Sequence, residues 1–247
     1  MSVWVMLLAC SLRQPPSAAA DSVEEPPAWS TEDGAEGARF ALIEALIDNQ
    51  QPEAALEMIR AVESKGYGTP ELDILQARAL RTIGLYEDAE LLLAQVLRRQ
   101  RRSASAHNEM GILKMDQARL EEAIDSFTRA QKLSETNADY ANNLGFALMV
   151  NDQPGEAVVV LREALKHDAT RERTRNNLAF ALIQDGRPKE GYRVFRSAMP
   201  EAEARYNLGV GLELRGDLED AQVAYTAALN ANPEHVRARE ALTRIQP

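Results

Sequence analysis

Asn142-Asn143-Leu144-Gly145 is repeated as Asn176-Asn177-Leu178-Ala179, a spacing of 34 residues, and that spacing decides the fold. Stepping by 34 from Leu144 reaches Met110, Gln76 and Leu42 on earlier cycles, whereas the next match after Leu178, Leu208, arrives four residues early. A second set of positions tests the frame independently. Ala55, Ala89, Ala123 and Ala157 stand 34 apart, Gly191 keeps the place, and Ala221 follows after the same four-residue deletion. Small residues held in one phase, with apolar residues at helical spacing between them, predict helix pairs that stack so that each pair buries the face of its neighbour.

Composition agrees. Alternating runs of β-branched and aromatic residues are missing, aromatics make up 5% of the chain, and Ala, Leu, Glu, Arg and Gln dominate, so the expectation is an all-α protein without sheet. The net charge of -10 argues against a nucleic-acid partner, whose backbone requires a clustered basic surface. A single cysteine excludes an intrachain disulfide and a cysteine metal cluster.

A period of 34 with one small residue on each of two helices resembles the tetratricopeptide repeat (TPR), which implies an α-solenoid, a TPR superhelix. The frame divides the chain into six helix-turn-helix repeats over 36–235 (36–69, 70–103, 104–137, 138–171, a shortened 172–201, and 202–235), then a capping helix over 236–247. Losing four residues removes about one helical turn, so the second helix of repeat five should be short. Gly111, Gly145, Ala157, Leu178, Gly209 and Ala221 are structural positions, the small residue of each first helix being set against the alanine of the second so that the backbones approach closely. Lys114 stands where other repeats have Leu, which predicts loose packing or a lysine that snorkels. Thr69-Pro70-Glu71 marks a helix start, and Asn232-Pro233 is read as the cap of the closing helix. The cluster Arg98-Arg99-Gln100-Arg101-Arg102 complements a helix C-terminus; docking of an acidic partner is its sharper reading.

No catalytic or metal-binding pattern emerges. His107, His167 and His235 occupy different phases and have no acidic partner at metal-binding spacing. Gly209-Val210-Gly211 lacks the third glycine of a dinucleotide loop and falls inside a helix. The expectation is a non-enzyme with no cofactor, no metal and no small-molecule substrate. What remains is a binding surface on the first helices. Asn108, Asn142 and Asn176 stack at one phase and Asn143, Asn177 and Asn207 at the next, with Ile112, Phe146, Phe180 and Val210 one turn on. An amide both donates and accepts, so such a ladder suits the backbone of an extended peptide, and the apolar row suits its side chains. Local packing is the competing account of the same asparagines and phenylalanines. A clamp for a terminal carboxylate needs interleaved cations, and only Arg173 and Arg205 are near.

At the N-terminus, Val5-Met6-Leu7-Leu8-Ala9-Cys10 resembles the lipobox of bacterial lipoproteins. That resemblance implies a signal-like segment over 1–10, lipidation of Cys10 and, with Ser11 next, an outer-membrane, periplasm-facing location. The apolar stretch is short and no Lys or Arg precedes it; an incidental cysteine is the alternative. Residues 11–35 carry four prolines and five acids against one arginine, the composition of a disordered tether. The run Arg175-Asn176-Asn177-Leu178-Ala179, the truncated fifth repeat and Ala202-Glu203-Ala204-Arg205-Tyr206-Asn207-Leu208-Gly209 together resemble the TadD lipoproteins of tight-adherence (Flp) pilus assembly. This implies a scaffold whose partners are secretin or pilus components, held to the membrane by its lipid. The type IV pilus pilotins of the PilF and Tgl kind are similar in plan, and a soluble cytoplasmic TPR adaptor binding peptide segments is the alternative of a different class.

Overall fold

The structure, a computed structural model, describes residues 32–245, and side chains from 37 onward. Cys10 and the tether residues up to 31 lie outside the described residues. The described chain is all-helical: α1 (Glu32–Asp48) pairs with α2 (Pro52–Glu63), α3 (Pro70–Thr82) with α4 (Tyr86–Arg99), and α5 (Ala104–Asp116) with α6 (Leu120–Leu133). Then α7 (Ala138–Val150) pairs with α8 (Pro154–His167), α9 (Glu172–Gln184) with α10 (Pro188–Arg196), and α11 (Glu201–Arg215) with α12 (Leu218–Ala231), before a single α13 (Val236–Ile245). The four-residue deficit falls in α10, nine residues long against 14 in α8 and α12. The first helix starts at Glu32, inside the stretch read as tether, since no proline after Pro27 stops it before the repeat frame begins.

Each turn from first to second helix uses the same backbone device. One residue takes a left-handed conformation at 50, 84, 118, 152, 186 and 216, with φ from 58° to 92°. The next residue's N–H then donates to the carbonyls of Leu46, Leu80, Lys114, Leu148, Leu182 and Leu212 at 2.8–2.9 Å, closing a six-residue ring over the helix end. Glycine fills three of these positions; Gln50, Ala118 and Asp152 accept the strain of a Cβ in the left-handed region. Second helices α2, α8 and α10 open with proline, where a missing N–H costs nothing. First helices α3, α5 and α7 open under side-chain caps: Thr69 accepts from Leu72 N at 3.2 Å, Ser103 from Ala106 N at 3.2 Å, and Asn137 from Asp139 N at 3.0 Å. The closing helix is capped differently from expectation. Asn232 spends its side chain on the N–H of Glu234, and the free N–H of Ala238 is taken by the His235 ring at 3.1 Å.

The helices fall into two bodies. In 32–133, α1 packs on α2 and α3, α3 on α4 and α5, and α5 on α6, around Ile43, Ile59, Leu72, Leu93 and Leu113. In 134–245, α9 packs against α7, α8, α10 and α11, and α11 in turn against α12, around Leu161, Leu182, Ile183, Phe195 and Tyr225. The glycines of the first helices make room for something larger than an alanine. A Cβ on Gly111 would come within 2.5 Å of the Phe127 ring, one on Gly145 within 2.5 Å of Leu161, and one on Gly209 within 2.5 Å of Tyr225. The apposed residue is thus the bulky one four positions beyond the second-helix alanine, which corrects the glycine-on-alanine picture: Ala123, Ala157 and Ala221 are buried beside it.

Candidate functional site

The face formed by the first helices of the second body, α7, α9 and α11, holds seven of the eight residues expected to bind peptide; Asn108, on α5, is buried in the first body. Burial divides the seven. Asn142, Asn143, Asn177 and Phe146 are buried, whereas Asn176, Phe180 and Asn207 are half-buried. The amide of Asn177 donates to Asn142 Oδ1 at 2.8 Å, linking α9 to α7. These two side chains, a full repeat apart, are used on each other and tie adjacent repeats together. Part of the asparagine ladder is therefore an internal clamp, because a buried amide facing another buried amide finds its partner inside the fold.

The open part of the face lies on α9 and α11. Phe180 rests edge-on against Phe195, ring centroids 5.1 Å apart, with one side left to solvent, and Val210 is half-buried one repeat on. Asn207 donates weakly to the sulfur of Met199 at 3.2 Å. Of the two nearby cations, Arg205 is engaged by Glu201 at 2.7 Å and lies over the Tyr192 ring, while Arg173 is exposed and makes no ion pair among the described residues. Beyond α11 the face is closed by a polar and aromatic cluster. Glu203 accepts from His235 at 3.1 Å and from Arg237 at 2.5 Å, and the Tyr206 ring packs against both, its centroid 5.1 Å from that of the His235 ring and 5.0 Å from the Arg237 guanidinium. The backbone N–H on His235 Nδ1 leaves Nε2 as the donor to Glu203. Tyr225 donates to Glu213 at 2.6 Å, and Glu213 also accepts from Arg244; burial first, then this bond, pushes the Tyr225 hydroxyl far above the ordinary phenol range. A 32-residue separation hides the His235–Glu203 pair from any spacing rule, so sequence reading missed it.

In the first body, Lys114 neither snorkels nor packs loosely. Its side chain is 5% exposed, and its ammonium lies 2.5 Å from Glu90 and 3.5 Å from Glu122. Arg119 bridges the same two carboxylates at 2.9 and 2.6 Å. The hydrogen bond from Lys114 holds the Glu90 carboxyl below its ordinary value, and that from Arg119 does the same for Glu122. This is a four-member charge cluster in which each carboxylate is shared by two cations. Among the described residues no three His, Cys, Asp or Glu side chains converge to hold a metal, and no helix is long and apolar enough to cross a membrane.

Comparison with known proteins gives the fold its family. Tetratricopeptide repeat models match residues 40–104, 74–138 and 202–225. No curated protein sequence matches the chain. Among solved structures, PilF of Pseudomonas aeruginosa is similar with a TM-score of 0.62 and 18% identity, over 86% of this chain and 98% of that one. YrrB, a TPR protein with an unusual peptide-binding site, is similar with a TM-score of 0.56 and 23% identity, over 74% of this chain and 96% of that one. MamA is similar with a TM-score of 0.56 and 19% identity, over 68% and 94% respectively. At these identities the likeness is one of fold.

Proposed function

We propose that this chain, an α-solenoid of tetratricopeptide repeats and as such a protein-interaction scaffold, holds an extended peptide segment of a partner on the first helices of its last repeats. The observation that carries this reading is the half-open strip of Asn176, Phe180, Asn207 and Val210 on α9 and α11. It sets half-buried amide groups beside apolar surface on rigid helices, the combination that reads both the backbone and the side chains of a peptide. The peptide-binding site of YrrB, on a similar fold, supports the class of ligand. The buried Asn142–Asn177 pair joins α7 to α9 and contributes no amide to the ligand.

The wider setting we propose is a lipoprotein, acylated at Cys10 and facing the periplasm from the outer membrane, that assists assembly or localisation of a pilus or secretin complex. The lipobox-like run ending at Cys10 and the fold likeness to PilF support it. The experiment is mass spectrometry of the protein from native membranes beside a Cys10→Ala version, joined to a pull-down of secretin and pilus components with wild type and Phe180→Ala. An acylated N-terminal cysteine, with capture weakened about tenfold by Phe180→Ala at unchanged helicity, is the expected result. An intact Met1 in the soluble fraction refutes the lipoprotein setting and leaves a soluble adaptor binding peptide segments; equal capture by Phe180→Ala refutes the strip.

A further inference from the structure

We infer that the arginine loop joining α4 to α5 is a second docking surface, one that takes an acidic peptide segment of a partner protein. Arg98, Arg99, Arg101 and Arg102 are all exposed and line, with Gln100 and Ser103, an open recess of about 550 Å³. Of the other described arginines in this body, Arg78, Arg81, Arg119 and Arg129 each face a carboxylate at 2.5–2.9 Å, while Arg39, over the Tyr67 ring, and Arg60 stand singly in the sequence without an ion pair among the described residues. The loop differs. Arg99 reaches Asp73 only at 3.5 Å, and Arg98, Arg101 and Arg102 meet no described carboxylate. Four cations within five residues repel one another, and an acidic protein of net charge -10 has carboxylates to spare for neutralising them. Four guanidinium groups held together, where others stand singly, mark a surface whose counter-charge comes from outside.

The loop is also held in place. The backbone N–H of Gln100 donates to Val96 O at 2.8 Å and that of Ser103 to Gln100 O at 3.1 Å, while Ser103 caps α5. Beneath it the buried His107 ring bonds the Arg101 carbonyl at 3.1 Å. Guanidinium groups on a fixed platform lose little entropy on binding, and their planar forks match carboxylates two bonds at a time. A flat anionic bilayer would also press against the rest of a protein whose net charge is -10, whereas a narrow acidic segment can touch the basic island alone. With charge screened over about 8 Å at physiological salt, that difference in footprint decides for a peptide.

The test uses the full chain and a fluorescent tetraglutamate peptide, followed by anisotropy, with phosphatidylglycerol vesicles as the competing probe. Wild type should bind the peptide more tightly than the vesicles and lose affinity several-fold as salt rises. Arg101→Glu with Arg102→Glu should weaken binding at least tenfold without moving the thermal melt, because both side chains are exposed. Replacing Arg98 and Arg102 by Lys, which keeps the charge and loses the fork, should give an intermediate loss. Binding unchanged by charge reversal, vesicle binding that exceeds peptide binding, or no peptide binding at low salt would each overturn the assignment.

Discussion

Two substitutions that break the same ion pair, Glu90→Gln and Lys114→Leu, should move stability in opposite directions. Lys114 sits at the position that is Leu46, Leu80, Leu148, Leu182 and Leu212 in the other repeats, and its side chain is 5% exposed. Removing the Glu90 charge leaves a buried ammonium whose nearest carboxylate is Glu122 at 3.5 Å, itself 53% exposed. Breaking one partner of a buried pair costs about 3–5 kcal/mol; the surviving contact brings Glu90→Gln to or just below the bottom of that range, about 2–3 kcal/mol. Lys114→Leu removes the desolvated charge itself and supplies the side chain the repeat uses elsewhere, while Glu90 keeps Arg119 at 2.9 Å. Replacing a buried ion by an apolar residue of similar volume is neutral or stabilising by up to about 4 kcal/mol. The two variants should therefore differ by at least about 2 kcal/mol. Urea titrations followed by far-ultraviolet circular dichroism, with the double variant closing a thermodynamic cycle, measure the difference. The pH dependence follows in sign. Glu90 and Glu122 are depressed below their ordinary 4.5 in the fold, so their stabilisation is complete above that value and is lost as pH falls through the lower folded values. Lys114→Leu should flatten that acid limb. If it instead destabilises as much as Glu90→Gln, or leaves the acid limb unchanged, the reasoning is refuted.

Asn177→Ala should cost about 1–3 kcal/mol, since it strands the Asn142 carbonyl, which is 2% exposed, without a donor; a melt equal to wild type would mean that the pair contributes nothing. Ala118→Gly should stabilise by about 0.5–1 kcal/mol, because Ala118 holds φ at 59° with a Cβ that glycine lacks; a lower urea midpoint would contradict the strain argument. Gly145→Ala drives a Cβ to 2.5 Å from the buried Leu161 and should destabilise by about 1 kcal/mol after its gain in helix propensity. Gly155→Ala meets only the exposed Asp185 carboxylate at 3.3 Å and should be neutral or stabilising, so equal effects in the two variants would show that packing against Leu161 is not the cause.

The period of 34 and the apolar spacing are local signals, and they were enough to give the all-helical class and the repeat phase, whereas three of the six corner residues, Gln50, Ala118 and Asp152, carry no such signal. Helix geometry depends on neighbours three and four positions away, and the chain writes those neighbours side by side. The site was less legible. Asn142 and Asn177 look like two rungs of one ladder, and only packing α9 on α7 shows that they bond each other across 35 residues. Gly145 and Ala157 look like a matched small pair, yet the glycine is there for Leu161. Lys114 reads as a fault in the pattern until α4 brings Glu90 to within 2.5 Å of it. In each case the sequence names the chemical group, and tertiary structure decides what it faces. Burial and partner choice depend on how neighbouring repeats meet, and no local period records that.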